Sequence, residues 1–433
     1  MTGMTADPPL GTFLATLRRS RLLDPPDLDR LTTRHNPTSA RAFADALVRT
    51  GILTHYQAEK LLNGHWYGLV LGPYSVLAPL GRGGMGTVVY LARDRRLSAA
   101  LGDSELVALK ILTNRKAERE PKALRRFRRE MVLGRRVDHP NVVRTFVAGE
   151  LDDVYYTALE YIPGRTVRQL VQEAGPLAVG DAARIFADVA AGLAHVHERG
   201  LIHRDVKPSN VIVRPDGRAV LLDLGLALVP GEQLPTDPTI VGGRGYTVGT
   251  MDYLAPEQAR DASTVGPAAD LYSLGCSLVF ALTGSVPFPA PTAKEKIARH
   301  RSDWPPALEQ VPQEFARIVH RLMAKSPEMR YGTASEVRDL LAKWATSSQT
   351  RTPIDAIVLA DTPGNDTGLW ELVPGEDLPE TSAGPGWELV HNLDDTPGSI
   401  EVLEIPPEKP SRSGCLTAGA LFALLGFVVT RVV

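Results

Sequence analysis

The sequence predicts an α+β chain in which a small β-rich lobe precedes a larger helical one, with a helical module in front and an acidic linker and apolar segment behind. Three observations carry that reading. β-Branched and apolar runs broken by glycine fill residues 74–111, helical faces recur after Asp181, and residues 346–410 hold thirteen acids against two bases. The 433 residues, 43% hydrophobic, leave room for two or three domains and a sizeable core. A net charge of −2 gives no overall sign of a nucleic-acid partner. Cys276 and Cys415 are too few for a disulfide framework, and no CxxC or His/Cys cluster suggests zinc, so a reducing compartment is expected. Residues 1–14 lack the basic start and apolar core of a secretory signal, so the globular part is expected to stay in the cytoplasm.

Residues 1–65 read as a module of three or four helices. Apolar positions recur at Phe13, Leu14 and Leu17, at Phe43, Leu47, Ile52 and Leu53, and at Tyr56, Leu61 and Leu62, with turns at Pro25-Pro26 and Asn36-Pro37. Such a module is too short for a strong core of its own and is expected to dock on its neighbour. An adaptor, a contact between two copies of the chain in a homodimer and a passive extension are its open readings. Residues 74–345 form the two-lobed domain. Tyr74-Ser75-Val76-Leu77, Thr87-Val88-Val89-Tyr90-Leu91 and Leu106-Val107-Ala108-Leu109-Lys110-Ile111 read as three antiparallel strands, with a long loop over 93–105. Helical faces follow at 182–197, 268–282 and 315–323.

Residues 346–413 are expected to be a disordered or extended acidic linker. Within it Asp361-Thr362-Pro363-Gly364 recurs as Asp395-Thr396-Pro397-Gly398, and Trp370-Glu371-Leu372-Val373 as Trp387-Glu388-Leu389-Val390. A docking peptide and a chance duplication both account for the repeats. Residues 414–433 are predominantly apolar, with Arg431 their one charge, and amount to about 20 residues, or about 30 Å of helix. This predicts a transmembrane anchor, with Lys409 and Arg412 on the cytoplasmic side; a merely hydrophobic tail is the alternative.

The chemistry concentrates in His203-Arg204-Asp205-Val206-Lys207-Pro208-Ser209-Asn210, followed thirteen residues on by Asp223-Leu224-Gly225. It reads as a phosphoryl-transfer loop. Asp205 could accept the proton of an attacking hydroxyl, Lys207 could neutralise the transferring group, and Asn210 and Asp223 could hold Mg2+ against nucleotide phosphates. Upstream, Leu80-Gly81-Arg82-Gly83-Gly84-Met85-Gly86-Thr87-Val88 contains GxGxxG between two strands. A dinucleotide fingerprint would continue into a helix, and no GxxxxGK[ST] is present here, so a flap over phosphates fits best. Lys110 follows on a strand beside an apolar floor that includes Ala108, and Glu130 on the next helix is available as its ion-pair partner. That helix also carries Arg125, Arg126, Arg128, Arg129, Arg135 and Arg136, either a solvated face or a cluster able to capture a phosphate.

With His139-Pro140-Asn141-Val142-Val143 and Ala255-Pro256-Glu257 added in order, residues 74–345 resemble the eukaryotic-like, bacterial-type serine/threonine protein kinases. The resemblance implies a bilobal protein-kinase fold, ATP and Mg2+ as cofactors, and proteins bearing Ser or Thr hydroxyls as substrates. It implies a hinge at Leu159, Glu160, Tyr161 and Ile162 that meets adenine, Asp270 as a buried anchor of the catalytic loop, and Arg330 as partner of Glu257. Residues 226–254 would be an activation loop, with Thr236, Thr239 and Thr247 as autophosphorylation candidates. A pseudokinase-like scaffold and a small-molecule kinase are the rival readings. Two departures stand out: Leu224 replaces the usual Phe, and Gly134 lies where the family packs an apolar side chain on that plug. The active arrangement is therefore expected to need support from elsewhere.

Overall fold

The computed structural model describes residues 7–82, 87–97, 106–113, 118–119, 121–151, 154–224, 227, 250–260 and 265–345. Four helices begin the chain: α1 (Leu10–Ser20), α2 (Pro25–His35), α3 (Ala40–Arg49) and α4 (His55–Leu62). Each boundary has a local cause. Pro25 opens α2, where its missing N–H is no loss, and Asn36 closes it in the left-handed region. Ser39 accepts the Ala42 N–H to cap α3, and Thr54 and Gln57 form a reciprocal capping box on α4. The apolar faces meet in one core of Phe13, Leu17, Leu28, Phe43, Leu47 and Leu61, with the Phe13 and Phe43 rings edge to face at 6.3 Å.

The β lobe is a six-stranded antiparallel sheet in the order β1-β2-β3-β4-β6-β5. Its strands are β1 (Val70–Leu71), β2 (Tyr74–Arg82), β3 (Val88–Asp94), β4 (Leu106–Thr113), β5 (Thr145–Leu151) and β6 (Val154–Glu160). The three strands expected from the glycine-broken runs are β2, β3 and β4, paired as antiparallel neighbours. Helix α5 (Pro121–Gly134) packs on the sheet through Ala123 and Phe127, which bury with Leu112 and Tyr155.

The second lobe is built on α7 (Val179–Glu198) and α8 (Ala268–Thr283), flanked by α6 (Val167–Ala174), α9 (Ala293–Ser302), α10 (Gln313–Leu322) and α11 (Ala334–Ala342). Because α7 and α8 are apolar around most of their circumference, they bury together and form the largest core in the molecule. A small sheet of β7 (Arg165–Thr166), β8 (Val211–Val213) and β9 (Ala219–Leu221) lies at the edge of this lobe. The His139–Val143 stretch runs along β9: Val143 donates to Leu221 O and Leu221 to Asn141 O, both at 2.9 Å. Gly192 makes this possible, since a Cβ there would sit 2.8 Å from the Asn141 carbonyl.

Among the described residues no helix is long and apolar enough to cross a membrane. The expected anchor at 414–433, the linker at 346–413 with its repeats, and the activation-loop threonines lie outside the described residues. So do Gly83, Gly84, Met85 and Gly86 of the glycine loop.

Candidate active site

Strand β4 places Lys110 between Val89 of β3 and Thr157 of β6, and α5 brings Glu130 against it. The Lys110 ammonium donates to both Glu130 oxygens at 2.7 Å and to Asp223 Oδ1 at 3.3 Å. Lys110 and Glu130 are each only 7% exposed. Burial disfavours the charge on Lys110, but Asp223 and Glu130 outweigh it and hold the ammonium protonated. Burial and the neighbouring Asp223 push Glu130 up, to about 7, against the pull of Lys110.

The 203–210 loop is held from beneath by Asp270, fully buried on the first turn of α8. Its oxygens accept the backbone N–H of His203 at 2.8 Å and of Arg204 at 2.7 Å, and the ring N–H of His197 at 2.8 Å. Burial alone would raise the Asp270 carboxyl, yet these donors keep it below its ordinary value. They also hold Arg204 at a φ of +66°, a conformation an Arg seldom adopts unaided. His203 Nε2 lies 2.9 Å from Leu222 O, and its Nδ1 accepts the Asp205 N–H at 3.3 Å. Those partners suit the ring tautomer with its proton on Nε2. Leu222 N in turn donates to Asn210 O at 2.8 Å, so the two loops carrying Asp205 and Asp223 are tied together. Asp223 itself sits at a φ of +62°.

On the upper side of the loop Lys207 donates to both Asp205 oxygens, at 2.9 and 2.8 Å. The Asn210 amide NH2 donates to the Asp205 carbonyl and to its Oδ2, both at 2.9 Å. Burial raises the Asp205 carboxyl above its ordinary value; Lys207 opposes that shift and Asp223 adds to it. Because Asn210 spends its NH2 on Asp205, its amide oxygen is the atom with metal-binding chemistry. That oxygen and the part-exposed Asp223 carboxylate suit Mg2+, which takes one or two protein oxygens and completes its shell with phosphates and water. No cluster of three or more His, Cys, Asp or Glu side chains that could hold a metal occurs among the described residues, so a site of that denser kind is not what these residues form.

The remaining candidate residues divide. Leu80, Gly81 and Arg82 end β2, and Thr87 and Val88 open the way into β3, so the loop expected to cover phosphates is flanked by paired strands. Ala108 pairs with Leu159 where β4 meets β6, inside the sheet. At the hinge, the Glu160 carboxylate pairs with Arg214, and the Ile162 side chain is buried with Val143 and Val220. The Glu160 carboxylate is thus engaged by Arg214 and the Ile162 side chain by its packing, so these two residues offer an expected adenine chiefly their main chain. Glu257 and Arg330 form the expected pair, bidentate at 2.6 and 2.8 Å, and Arg330 also donates to Ala268 O and Ala324 O.

Two readings of the sequence change. Gly134 was expected to leave the Leu224 plug short of an apolar neighbour, but Leu133, one residue earlier, together with Val137, Val142, Val196 and Leu201, buries Leu224 to 3% exposure. Gly134 is the last residue of α5, and a Cβ on it would meet Thr145 Oγ1 at 2.4 Å. It is the small residue that lets the helix end lie against β5. The arginines of α5 are also not uniformly solvated: Arg128 covers the Tyr155 ring at 5.2 Å, and Arg129 Nε donates to Ala227 O at 2.8 Å, just beyond Asp223. Sequence reasoning missed His197, which the helical face of α7 gave no cause to separate from its neighbours.

The geometry agrees with comparisons to known proteins. The family model described as "Protein kinase domain" matches residues 74–342, more than half of the chain. The serine/threonine-protein kinase PrkC of Bacillus subtilis is 34% identical over 62% of this chain and 40% of its own length. The probable serine/threonine-protein kinase PkwA of Thermomonospora curvata is 37% identical over 64% of this chain and 34% of its own. The serine/threonine-protein kinase PknB of Mycobacterium leprae is 37% identical over 60% of this chain and 41% of its own. This chain thus spans well under half the length of these curated relatives. Over the residues that build the two lobes and the cleft between them, it belongs to the protein kinase family.

Proposed function

We propose that the chain is an ATP-dependent serine/threonine protein kinase that transfers the γ-phosphate to Ser or Thr hydroxyls of proteins. The observation that carries this reading is the convergence of Glu130 and Asp223 on the Lys110 ammonium, next to a loop in which Asp205 is held by Lys207 and Asn210. Every polar participant is in place, which argues against a scaffold that only binds. ATP would bind between the lobes, where Lys110, steadied by Glu130, would contact its phosphates and the 81–86 loop is expected to cover them. Mg2+, held by Asp223 and the Asn210 amide oxygen, neutralises charge on the phosphates when bound. Asp205 orients the substrate hydroxyl and takes its proton, and Lys207 offsets charge on the transferring group. Alignment and charge neutralisation supply most of the rate.

Phosphate incorporation from labelled ATP into a generic protein substrate tests this. Asp205→Asn should lower kcat by about 10²–10⁴-fold, the usual worth of a positioned base, and Lys110→Ala by about 10²-fold or more. Activity retained in either variant would remove the assignment. The same reading treats residues 1–65 as a helical module, 74–345 as the kinase domain, 346–413 as a linker and 414–433 as a membrane anchor with the kinase domain cytoplasmic. The apolar composition of the last segment supports the anchor. Recovery of the full chain in the soluble fraction of lysed cells would refute it.

A further inference from the structure

Among the helices ahead of the kinase domain, α4 meets strand β2, which leads into the expected phosphate loop. Strand β2 carries a bulge: Val76 faces Ala92 and Ala78 faces Leu91, so Leu77 is skipped by β3. A second irregularity follows between Pro79 and Gly81, at Leu80, where the strand enters the expected phosphate loop. The edge of β2 at the first bulge is covered by the start of α4. Thr54 Oγ1 donates to Leu77 O at 2.6 Å, and Gln57 Nε2, on a side chain 3% exposed, donates to Val76 O at 2.7 Å. The same two side chains use their acceptor oxygens on each other's main chain, Gln57 Oε1 taking Thr54 N–H at 2.9 Å and Thr54 Oγ1 taking Gln57 N–H at 3.2 Å. A capping box is thereby used twice, its acceptors closing the helix and its donors closing the sheet edge. Glu would serve the helix equally well at position 57, but a carboxylate has no donor for the Val76 carbonyl. Tyr56, packed on Tyr90 at 6.4 Å and on the sheet core, holds α4 in place.

We infer that Thr54 and Gln57 are positioning residues for ATP, holding the β2 bulge that sets the register of the strand into the phosphate-covering loop. Were the bulge to relax, residues 78–82 would move one place along β3, and a one-residue slip turns side chains to the opposite face. The inference rests on the kinase reading above, because it supposes that the loop after Leu80 covers ATP.

The test uses the full-length chain with ATP as the probe. Gln57→Glu keeps the helix cap and removes the donor; it should raise the KM for ATP about three- to tenfold, the usual worth of such a hydrogen bond, with kcat within about twofold. Gln57→Ala should shift KM in the same direction, and Thr54→Ser, which retains donor and acceptor, should behave as wild type. A merely structural role would shrink the active fraction, lowering kcat at constant KM, and that pattern would overturn the inference. Calorimetric titration with ATP keeps the two claims apart. An inactive wild type removes the kinase assignment, whereas equal ATP affinity in wild type and Gln57→Glu removes this inference.

Discussion

The two sides of the cleft are held by different physics. On the catalytic-loop side, Asp205 rests on neutral and charge-assisted hydrogen bonds that end in Asp270, a fully buried carboxylate on the first turn of a core helix. On the lysine side, Lys110 is held by ionic contacts to residues on two other elements, α5 and the segment after β9. One side is part of the folding core and the other is an assembly of elements that meet. The loop is therefore set by folding itself, while the lysine site depends on where α5 sits. Arg129 on Ala227 O and Leu133 on Leu224 tie that helix to the residues flanking Asp223, so the two sides communicate through α5.

Stability measurements should separate them most clearly. Asp270→Ala leaves the N–H groups of His203 and Arg204 buried without an acceptor, and should destabilise the chain by about 3–5 kcal/mol in denaturant unfolding. Lys110→Ala should cost less than half as much at pH 6, because burial and Asp223 already push Glu130 up to about 7 and a proton can replace the ammonium. Equal losses would mean that the lysine side belongs to the core as well.

A change in pH profile comes next. In the proposed mechanism Asp205 serves as a base only when ionised, and burial holds its pKa above the ordinary value, so activity should fall as pH drops through that raised pKa. Lys207 works against the shift. In Lys207→Met the acid limb of kcat/KM should therefore move to higher pH, separately from any loss of maximal rate; a limb that stays in place would take Asp205 out of the base role.

The smallest effect has a sign that decides between two accounts. Helix propensity alone favours Gly134→Ala by about 1 kcal/mol. Contact with Thr145 Oγ1 at the end of α5 predicts the opposite, a loss of about 1–2 kcal/mol that Thr145→Ala should relieve. Stabilisation by the single substitution would return Gly134 to being a weak point of the helix.

What could be read from the sequence was whatever is encoded locally. Glycine-broken β runs, the period of α7, α8 and α10, and the polar residues of 203–210 each announce themselves within a few positions. Lys110 with Glu130, 20 residues apart, was legible as a strand lysine followed by a helix glutamate, whereas Glu257 with Arg330, 73 residues apart, was legible only through resemblance. His197 and Leu133 were not legible, because a helix face says which residues are buried and not against what. The same holds for Gln57, which as a sequence letter is a helix cap and in three dimensions is also the cover of a strand edge.

By itself, then, the chain's order of residues determined which groups can do chemistry, since acidity, charge and backbone freedom belong to the residue type. Only the tertiary structure decided which of them meet, how far their pKa values move, and that Gly134 serves close packing. Those depend on distances and burial, which arise when segments far apart in sequence exclude water together.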